Sequence, residues 1–88
     1  MPIISSFYGI VVKMYFIDVE RHHIPHIHVE YNKYRCIFDF NGKIIEGYIP
    51  IKQKRITQAW IEIHKSELIE LWNIAVKGKG SFKIEPLK

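Results

Sequence analysis

The first half of the chain alternates between apolar and polar positions with the period of two that is typical of β-strands. Its apolar positions are rich in Val, Ile, Tyr and Phe, which favour pleated and partly buried structure. Asn32-Lys33 predicts a tight turn, and Asn41-Gly42 predicts a two-residue hairpin in which both residues take positive φ. Short connections of this kind favour an antiparallel meander. The predicted strands cover residues 10–17, 27–31, 34–40 and 43–49.

After Pro50 the apolar period changes to that of a helix. A five-residue step from Ile63 to Leu68 breaks the phase, and Ser66 with Glu67 resembles a capped helix start. We therefore expect two helices that meet near residues 64–66, with one bent helix as the alternative, and Gly78 ending the second. The predicted buried stripes are Ile56, Ala59, Trp60 and Ile63, followed by Leu68, Leu71, Trp72 and Ala75.

These patterns predict a single α+β domain over residues 1–88, long enough to bury a core. An antiparallel sheet of about four strands is followed by two C-terminal helices packed on one face. We expect the strands within residues 8–49, the helices within 51–77 and a tail over 78–88. Both tryptophans lie on the apolar stripes, which favours core packing.

Composition narrows the class of protein. The single cysteine, Cys36, excludes an internal disulfide and a cysteine-based zinc finger, and its mid-strand position predicts a buried, inert thiol. No apolar run reaches the 18 or more residues that a membrane-spanning helix needs, and the N-terminus lacks the pattern of a secretory signal. We therefore expect a cytoplasmic protein.

The charge balance favours acidic partners. Thirteen Lys and Arg residues against nine acidic ones give a net charge of +4. Lys52, Lys54 and Arg55 form one cluster, which makes them candidate contacts for RNA or DNA. The alternative is a solvated surface that keeps the protein soluble. The tyrosines of the strand half predict an exposed aromatic patch whose members the periodicity does not identify: Tyr8, Tyr15, Tyr31, Tyr34 and Tyr48.

The strongest chemical signal is a cluster of four histidines within residues 22–28. On a strand, His26, His28 and Glu30 project from one face, where two imidazoles can reach one metal ion. Pro25 stiffens the preceding chain, which could hold His22 or His23 over the same face as a third ligand, and Asp18 is a conceivable oxygen ligand. The main candidate ligands of a divalent metal such as zinc are His22, His26, His28 and Glu30, and a three-ligand set with an open position suits catalysis.

Two other interpretations of the cluster stay open. His22, His26 and His28 could act as general acid and base without metal while Lys or Arg stabilises a phosphate. The cluster could also be an ordinary polar strand face. Neither an HExxH motif nor a Gly-rich phosphate loop is present. His64 and Glu67, three residues apart, predict a helix-end hydrogen bond.

Three segments resemble the short bacterial proteins of domain of unknown function 4160, and together they cover nearly the whole chain. They are residues 1–12 with 14–16, residues 22–31, and residues 59–65 with 67–68, Trp72 and the ending 82–87. The Pro-His-x-His element at Pro25, His26 and His28 is the most distinctive motif. Many members have Asp before the first histidine of this region, whereas Arg21 precedes His22 here.

The resemblance implies a fold more securely than an activity. Genes for similar proteins often neighbour, or are fused to, those of domain of unknown function 2442, which implies a toxin–antitoxin module, a small partner protein and an RNA or DNA target. The leading hypothesis is thus a toxin–antitoxin-type component whose histidine cluster acts on nucleic-acid phosphodiesters. It predicts that His26→Ala or His28→Ala abolishes activity and leaves folding intact.

The contrasting hypothesis is a protein- or nucleic-acid-binding module without catalysis or a metal site. An exposed edge in so small a sheet also favours a homodimer.

Overall fold

The computed structural model describes residues 3–14, 24–76 and 83–87, which form an antiparallel sheet followed by two helices. Neighbours in the sheet follow chain order from β1 to β5, so the sheet is a meander. The predicted α+β class is confirmed, with five strands rather than about four. The elements are β1 Ile3–Phe7, β2 Ile10–Lys13, β3 His26–Tyr31, β4 Tyr34–Asp39, β5 Ile44–Tyr48, α1 Ile51–Ile63 and α2 Lys65–Val76.

Strand β1 was not predicted, because its sequence does not alternate. Ile4 and Ser5 are adjacent and both buried, since the register with β2 shifts between Ile3 and Ser5. The edge of β1 that faces away from β2 contacts the C-terminal segment, where the Ile84 N–H donates to the Ile4 carbonyl at 2.7 Å. The predicted first strand is confirmed as far as Lys13, and its residues 15–17 lie outside the described part of the chain.

Two of the hairpins close through two-residue turns at the same end of the sheet. Tyr8 and Gly9 join β1 to β2 with φ values of 51° and 78°, the left-handed pair of a type I′ turn. Asn32 and Lys33 join β3 to β4 as predicted, and Asn32 has φ 52°.

The third hairpin is confirmed, but its predicted two-residue turn is wrong. β4 and β5 are separated by residues 40–43, and Gly42 takes a positive φ of 87° while Asn41 does not. The carboxylate of Asp39 accepts the N–H groups of Asn41 at 2.8 Å and Lys43 at 2.9 Å. Because these bonds satisfy the loop backbone, a longer turn is favoured over the tight one.

The two predicted helices are confirmed, and they meet at His64. The predicted cap at Ser66 is wrong, because α2 already begins at Lys65 and Ser66 lies exposed in its first turn. The His64 N–H still bonds to the Trp60 carbonyl at 3.0 Å, and the His64 carbonyl accepts the Leu68 N–H at 2.9 Å. Backbone hydrogen bonds therefore continue through the junction, and for this reason α2 begins earlier than the predicted cap would allow. Gly78 lies outside the described residues.

Helix α1 is rotated relative to the predicted stripe. Ala59 is exposed and the Ile63 side chain is 62% exposed, while Thr57 is fully buried. Burial of Thr57 costs little because its Oγ1 donates to the Gln53 carbonyl at 2.8 Å. The buried residues of α1 are Gln53, Thr57, Trp60 and Ile61.

One hydrophobic cluster joins sheet and helices. Alternate residues of the central strands, such as Val12, Val29 and Cys36, are aligned across the sheet and buried in it. Trp60 stacks on Phe7 with ring centroids 5.4 Å apart, and both tryptophans lie in the cluster as predicted. In the described part of the chain, neither helix has the length and apolar character needed to cross a membrane.

Candidate functional site

The histidine face of β3 comprises His26, His28 and Glu30. The imidazole rings of His26 and His28 lie with centroids 5.4 Å apart, so the alternation brings them together as predicted. Lys13 on β2 is the cross-strand partner of His28, and its Nζ lies 3.2 Å from Oε2 of Glu30. The Lys13 ammonium group is thus paired with Glu30, the carboxylate that was predicted to bind metal.

His26 is a packed core residue. Its side chain has no exposed surface, and its ring centroid lies 5.2 Å from that of Trp72 on α2. Nδ1 lies 2.9 Å from the Ile24 carbonyl, and since a carbonyl only accepts, Nδ1 carries the proton and donates. The Nε2 atoms of His26 and His28 are both buried. A substrate phosphate could reach His26 only if this packing opened.

The predicted metal site stays a prediction. Among residues 3–14, 24–76 and 83–87 no group of three or more His, Cys, Asp or Glu side chains is arranged to hold a metal ion. His22, one of the four predicted ligands, lies outside those residues. His26 and His28 supply two adjacent imidazoles, which fit zinc or another borderline divalent ion as part of a set.

His64 has the helix-end role that was predicted. Its Nδ1 lies 2.8 Å from Oε1 of Glu67, one turn into α2. Its ring also packs at 5.4 Å from that of Trp60. The pair therefore stabilises the junction between the two helices, and this packing favours a structural role for His64 over a catalytic one.

Cys36 is buried in β4, as predicted. Burial raises the pKa of its thiol from the usual 9.0 to about 12, because the thiolate would lose its hydration. The thiol is therefore neutral at physiological pH and poorly nucleophilic.

The basic cluster lies at the start of α1. Lys52 and Arg55 are exposed and Lys54 is half-buried. The first turn of α1 contains no acidic residue, so the positive end of the helix dipole adds to these charges instead of being compensated. The cluster therefore produces a positive potential just beyond Tyr48, the last residue of β5.

The fold brings tyrosines from four strands or turns to this same end of the sheet. Strand register aligns Phe7 with Ile10, Ile10 with Tyr31, Tyr31 with Tyr34 and Arg35 with Tyr48. The two-residue turns of the first and second hairpins lie here, and β5 ends here. We call this surface the tyrosine end; it comprises Tyr8, Tyr31, Lys33, Tyr34, Arg35, Tyr48, Lys52 and Arg55.

Two rings of the tyrosine end are held outward. Tyr48 is 65% exposed and Tyr8 is 60% exposed, whereas Tyr15 lies outside the described residues. Tyr34, which is half-buried, meets Tyr48 edge-on with centroids 5.7 Å apart and planes at 64°. The Nζ of Lys33 lies 5.8 Å from the centroid of the Tyr34 ring. Tyr34 therefore fixes Tyr48, while Lys33 holds a positive charge beside Tyr34.

The charge pattern of the sequence indicated Lys52, Lys54 and Arg55 but not Lys33 and Arg35, which lie 17 or more positions earlier. The available signal was the Asn32-Lys33 turn, because a two-residue turn aligns residues 31 and 34 at one sheet end. The register of β5, which adds Tyr48 beside Arg35, depends on the longer loop at residues 40–43 and on a shift between Ile37 and Phe38.

Comparison with known proteins gives one match. A family model described as domain of unknown function (DUF4160) matches residues 9–73, which include the second hairpin of the tyrosine end and the histidine face. No curated protein and no solved structure matches the chain significantly. The matched span covers most of the chain, from the first hairpin turn into α2, and therefore this protein belongs to the DUF4160 family.

Proposed function

We propose that this protein is a nucleic-acid-binding module whose contact surface is the tyrosine end. The observation that carries the proposal is the convergence of four exposed basic side chains with two exposed tyrosine rings. Basic groups attract the phosphate backbone, and ring faces accept bases by stacking. The basic side chains are Lys33, Arg35, Lys52 and Arg55, and the rings are Tyr8 and Tyr48.

The local charge supports an anionic ligand. Two acidic residues lie near the tyrosine end. Glu30 is neutralised by Lys13, whose Nζ lies 3.2 Å from Oε2 of Glu30, and Glu46 lies two residues before the end of β5. The N-terminus of α1 adds the positive end of its dipole. A phosphate chain passing from Lys33 to Lys52 would therefore meet basic groups from a turn, a strand and a helix.

Binding is favoured over catalysis because of where the histidines lie. His26 is fully buried against Trp72, so it has no surface from which to exchange a proton with a substrate. The exposed groups of the tyrosine end include no histidine and no thiol. They can hold a nucleic acid, and they offer no general base with an unperturbed pKa near neutrality.

The test is a salt titration of binding to fluorescein-labelled 20-nucleotide RNA and DNA, followed by anisotropy. We expect the logarithm of the affinity to fall linearly with the logarithm of salt concentration. Lys52→Gln with Arg55→Gln should weaken binding to all sequences and reduce the slope by about 2, roughly 1 for each phosphate that is no longer neutralised. Lys43→Gln is the matched control, since Lys43 is exposed at the opposite end of the sheet.

A flat salt response would reject the proposal, as would equal effects per removed charge of the Lys43 and Lys52/Arg55 substitutions. The first result would mean that the protein does not bind phosphates. The second would mean that only net charge matters and that the tyrosine end is not the site.

A second candidate function is phosphodiester cleavage at the histidine face, and one observation favours it. His28 is half-buried rather than enclosed, and a basic residue, Lys13, is its cross-strand partner on β2. An imidazole and a cation are the two kinds of group that proton transfer at a phosphate uses. His22 and a divalent metal complete this candidate as the sequence predicts it.

Cleavage is tested with the same oligonucleotides, with and without added zinc or manganese, and by the metal content of protein purified without a tag or chelator. We expect His28→Ala to remove both cleavage and bound metal if this site is active. Intact oligonucleotides together with metal-free wild-type protein would reject it.

The proposal includes a small partner protein, because the family resemblance implies a toxin–antitoxin-type pair. A stoichiometric complex with the neighbouring gene product, insensitive to His28→Ala, would support a binding role. Loss of that complex in the same variant would point instead to the histidine face.

A further inference from the structure

We propose that the tyrosine end selects single-stranded over duplex nucleic acid, with Tyr48 as the main stacking platform and Tyr8 as a second one. The inference rests on the proposed function and names its ligand class. The supporting observation is the degree to which the Tyr48 and Tyr8 rings are exposed, 65% and 60%.

Tyr48 is a prepared platform because its ring is held in place. Tyr34 contacts it edge-on at 5.7 Å, and Tyr34 is itself half-buried with the Lys33 ammonium 5.8 Å from its centroid. A ring fixed in this way loses little rotamer freedom when a base stacks on it. Tyr34 acts here as a positioning residue, and Tyr48 makes the contact.

Tyr8 is held outward by the backbone. It has φ 51°, in the left-handed region that a tyrosine seldom adopts, within a turn that Asn and Gly would fill more favourably. Gly9, which follows, brings the chain close to the ring of Tyr31, since a Cβ at Gly9 would lie 3.3 Å from it. The first hairpin turn therefore presents its ring from the surface of the tyrosine end.

The distance between the two platforms suits a single strand. Tyr8 lies at the β1–β2 turn and Tyr48 on β5, so up to four strand intervals, about 19 Å, separate them. A footprint on the order of four nucleotides, the low end of known single-strand sites, spans such a distance. Lys33 and Arg35 lie between the two rings, where the phosphates would pass.

The structure gives little for a duplex to use. Stacked and paired bases offer no free faces to Tyr8 or Tyr48. A helix that reads a major groove needs polar groups along its exposed face, whereas α1 beyond Arg55 exposes Ala59, Glu62 and Ile63. The basic residues of α1 are therefore placed for phosphate contact at one end rather than for base reading.

The experiment compares a labelled 20-nucleotide single strand with the blunt duplex of the same sequence, for wild type, Tyr48→Ala, Tyr48→Phe and Ile63→Ala. Ile63 is the control, because it is 62% exposed and lies at the far end of α1. We expect tighter binding of the single strand and a loss of roughly 5- to 150-fold with Tyr48→Ala, the range for one stacked base. Tyr48→Phe, which keeps the ring, should retain most of the wild-type affinity. Circular dichroism melts should confirm that each variant is folded.

Equal or tighter binding of the duplex would overturn the inference while leaving the salt-dependent proposal standing. So would an effect of Tyr48→Ala that is absent or the same for both ligands. Failure of every ligand to bind in a salt-dependent manner would overturn the proposed function and this inference together.

Discussion

The imidazole of His26 packs against the indole of Trp72, with ring centroids 5.2 Å apart and planes at 57°. The contact joins the first residue of β3 to α2. The His26 ring is fully buried and its Nδ1 bonds to the Ile24 carbonyl. His26, the first histidine of the Pro-His-x-His motif, therefore has a role in packing.

His26→Ala should therefore destabilise the fold, in contrast to the sequence-based expectation that folding stays intact. Removal of a buried ring leaves a cavity beside Trp72 and leaves the Ile24 carbonyl without its donor. We expect a loss of about 2–4 kcal/mol in the free energy of unfolding, measured by urea denaturation followed by tryptophan fluorescence.

His28→Ala is the matched comparison, since His28 is on the same strand face but only half-buried. We expect His28→Ala to lower the free energy of unfolding by less than half as much as His26→Ala. Equal losses in the two variants would contradict the packing role assigned to His26.

Gly47 is required by the close approach of β4. It has φ 88°, and a Cβ there would overlap the Arg35 carbonyl oxygen and lie 2.8 Å from Cα of Cys36. Both obstacles are backbone, which cannot move aside cheaply. We expect Gly47→Ala to cost about 3 kcal/mol or more in urea denaturation, or to prevent folding.

Gly42→Ala provides the control, because Gly42 has a similar φ of 87° but a Cβ there would meet only the Gln58 side chain, at an ordinary van der Waals distance of 3.4 Å. It should lose only the cost of a left-handed alanine, about 1–2 kcal/mol. If both variants lost the same amount, the steric explanation for Gly47 would be wrong.

The thiol of Cys36 should resist modification in the folded protein. Its pKa is raised to about 12 by burial, so we expect reaction with a disulfide reagent at pH 8 to be slow and to become rapid only in denaturant. Rapid labelling of the folded chain would show that β4 opens readily.

The same pKa shift predicts how stability depends on pH. The thiol is neutral in both states below pH 9, and above it the unfolded chain ionises first, so this contribution to stability falls as pH rises from about 9 towards 12. The limiting slope is about 1.4 kcal/mol per pH unit. Cys36→Ala should lack this decline, and the difference between the two proteins across pH 8–10.5 measures it.

We expect Tyr8 to lower the stability of the fold and to strengthen binding of the single strand. Its φ of 51° suits Asn better than Tyr, and its ring is mainly exposed to solvent. We expect Tyr8→Asn to raise the melting temperature by a few degrees, about 4–8 °C for each kcal/mol gained, while weakening binding of the single strand. A variant that gained stability and kept full affinity would remove Tyr8 from the proposed surface.

Much of the fold could be predicted because most local patterns agreed with the final packing. The alternation over residues 27–31 and 34–40 was confirmed as β3 and β4, and the phase break after Ile63 was confirmed as the junction at His64. β1 escaped prediction because a register shift buries Ile4 and Ser5 together. The predicted buried stripe of α1 was confirmed at Trp60 and wrong at Ala59 and Ile63, because the hydrogen-bonded Thr57 faces inward instead.

The sequence by itself determined β2 to β5, the two helices, the pairing of His26 with His28 and the basic cluster at the start of α1, since those depend on neighbours within a few residues. Only the tertiary structure decided that His26 is enclosed by Trp72, 46 positions later, and that Tyr8, Tyr34 and Tyr48 share one end of the sheet. Burial and cross-sheet proximity depend on how distant segments pack and on the register of each hairpin. No local period carries that information.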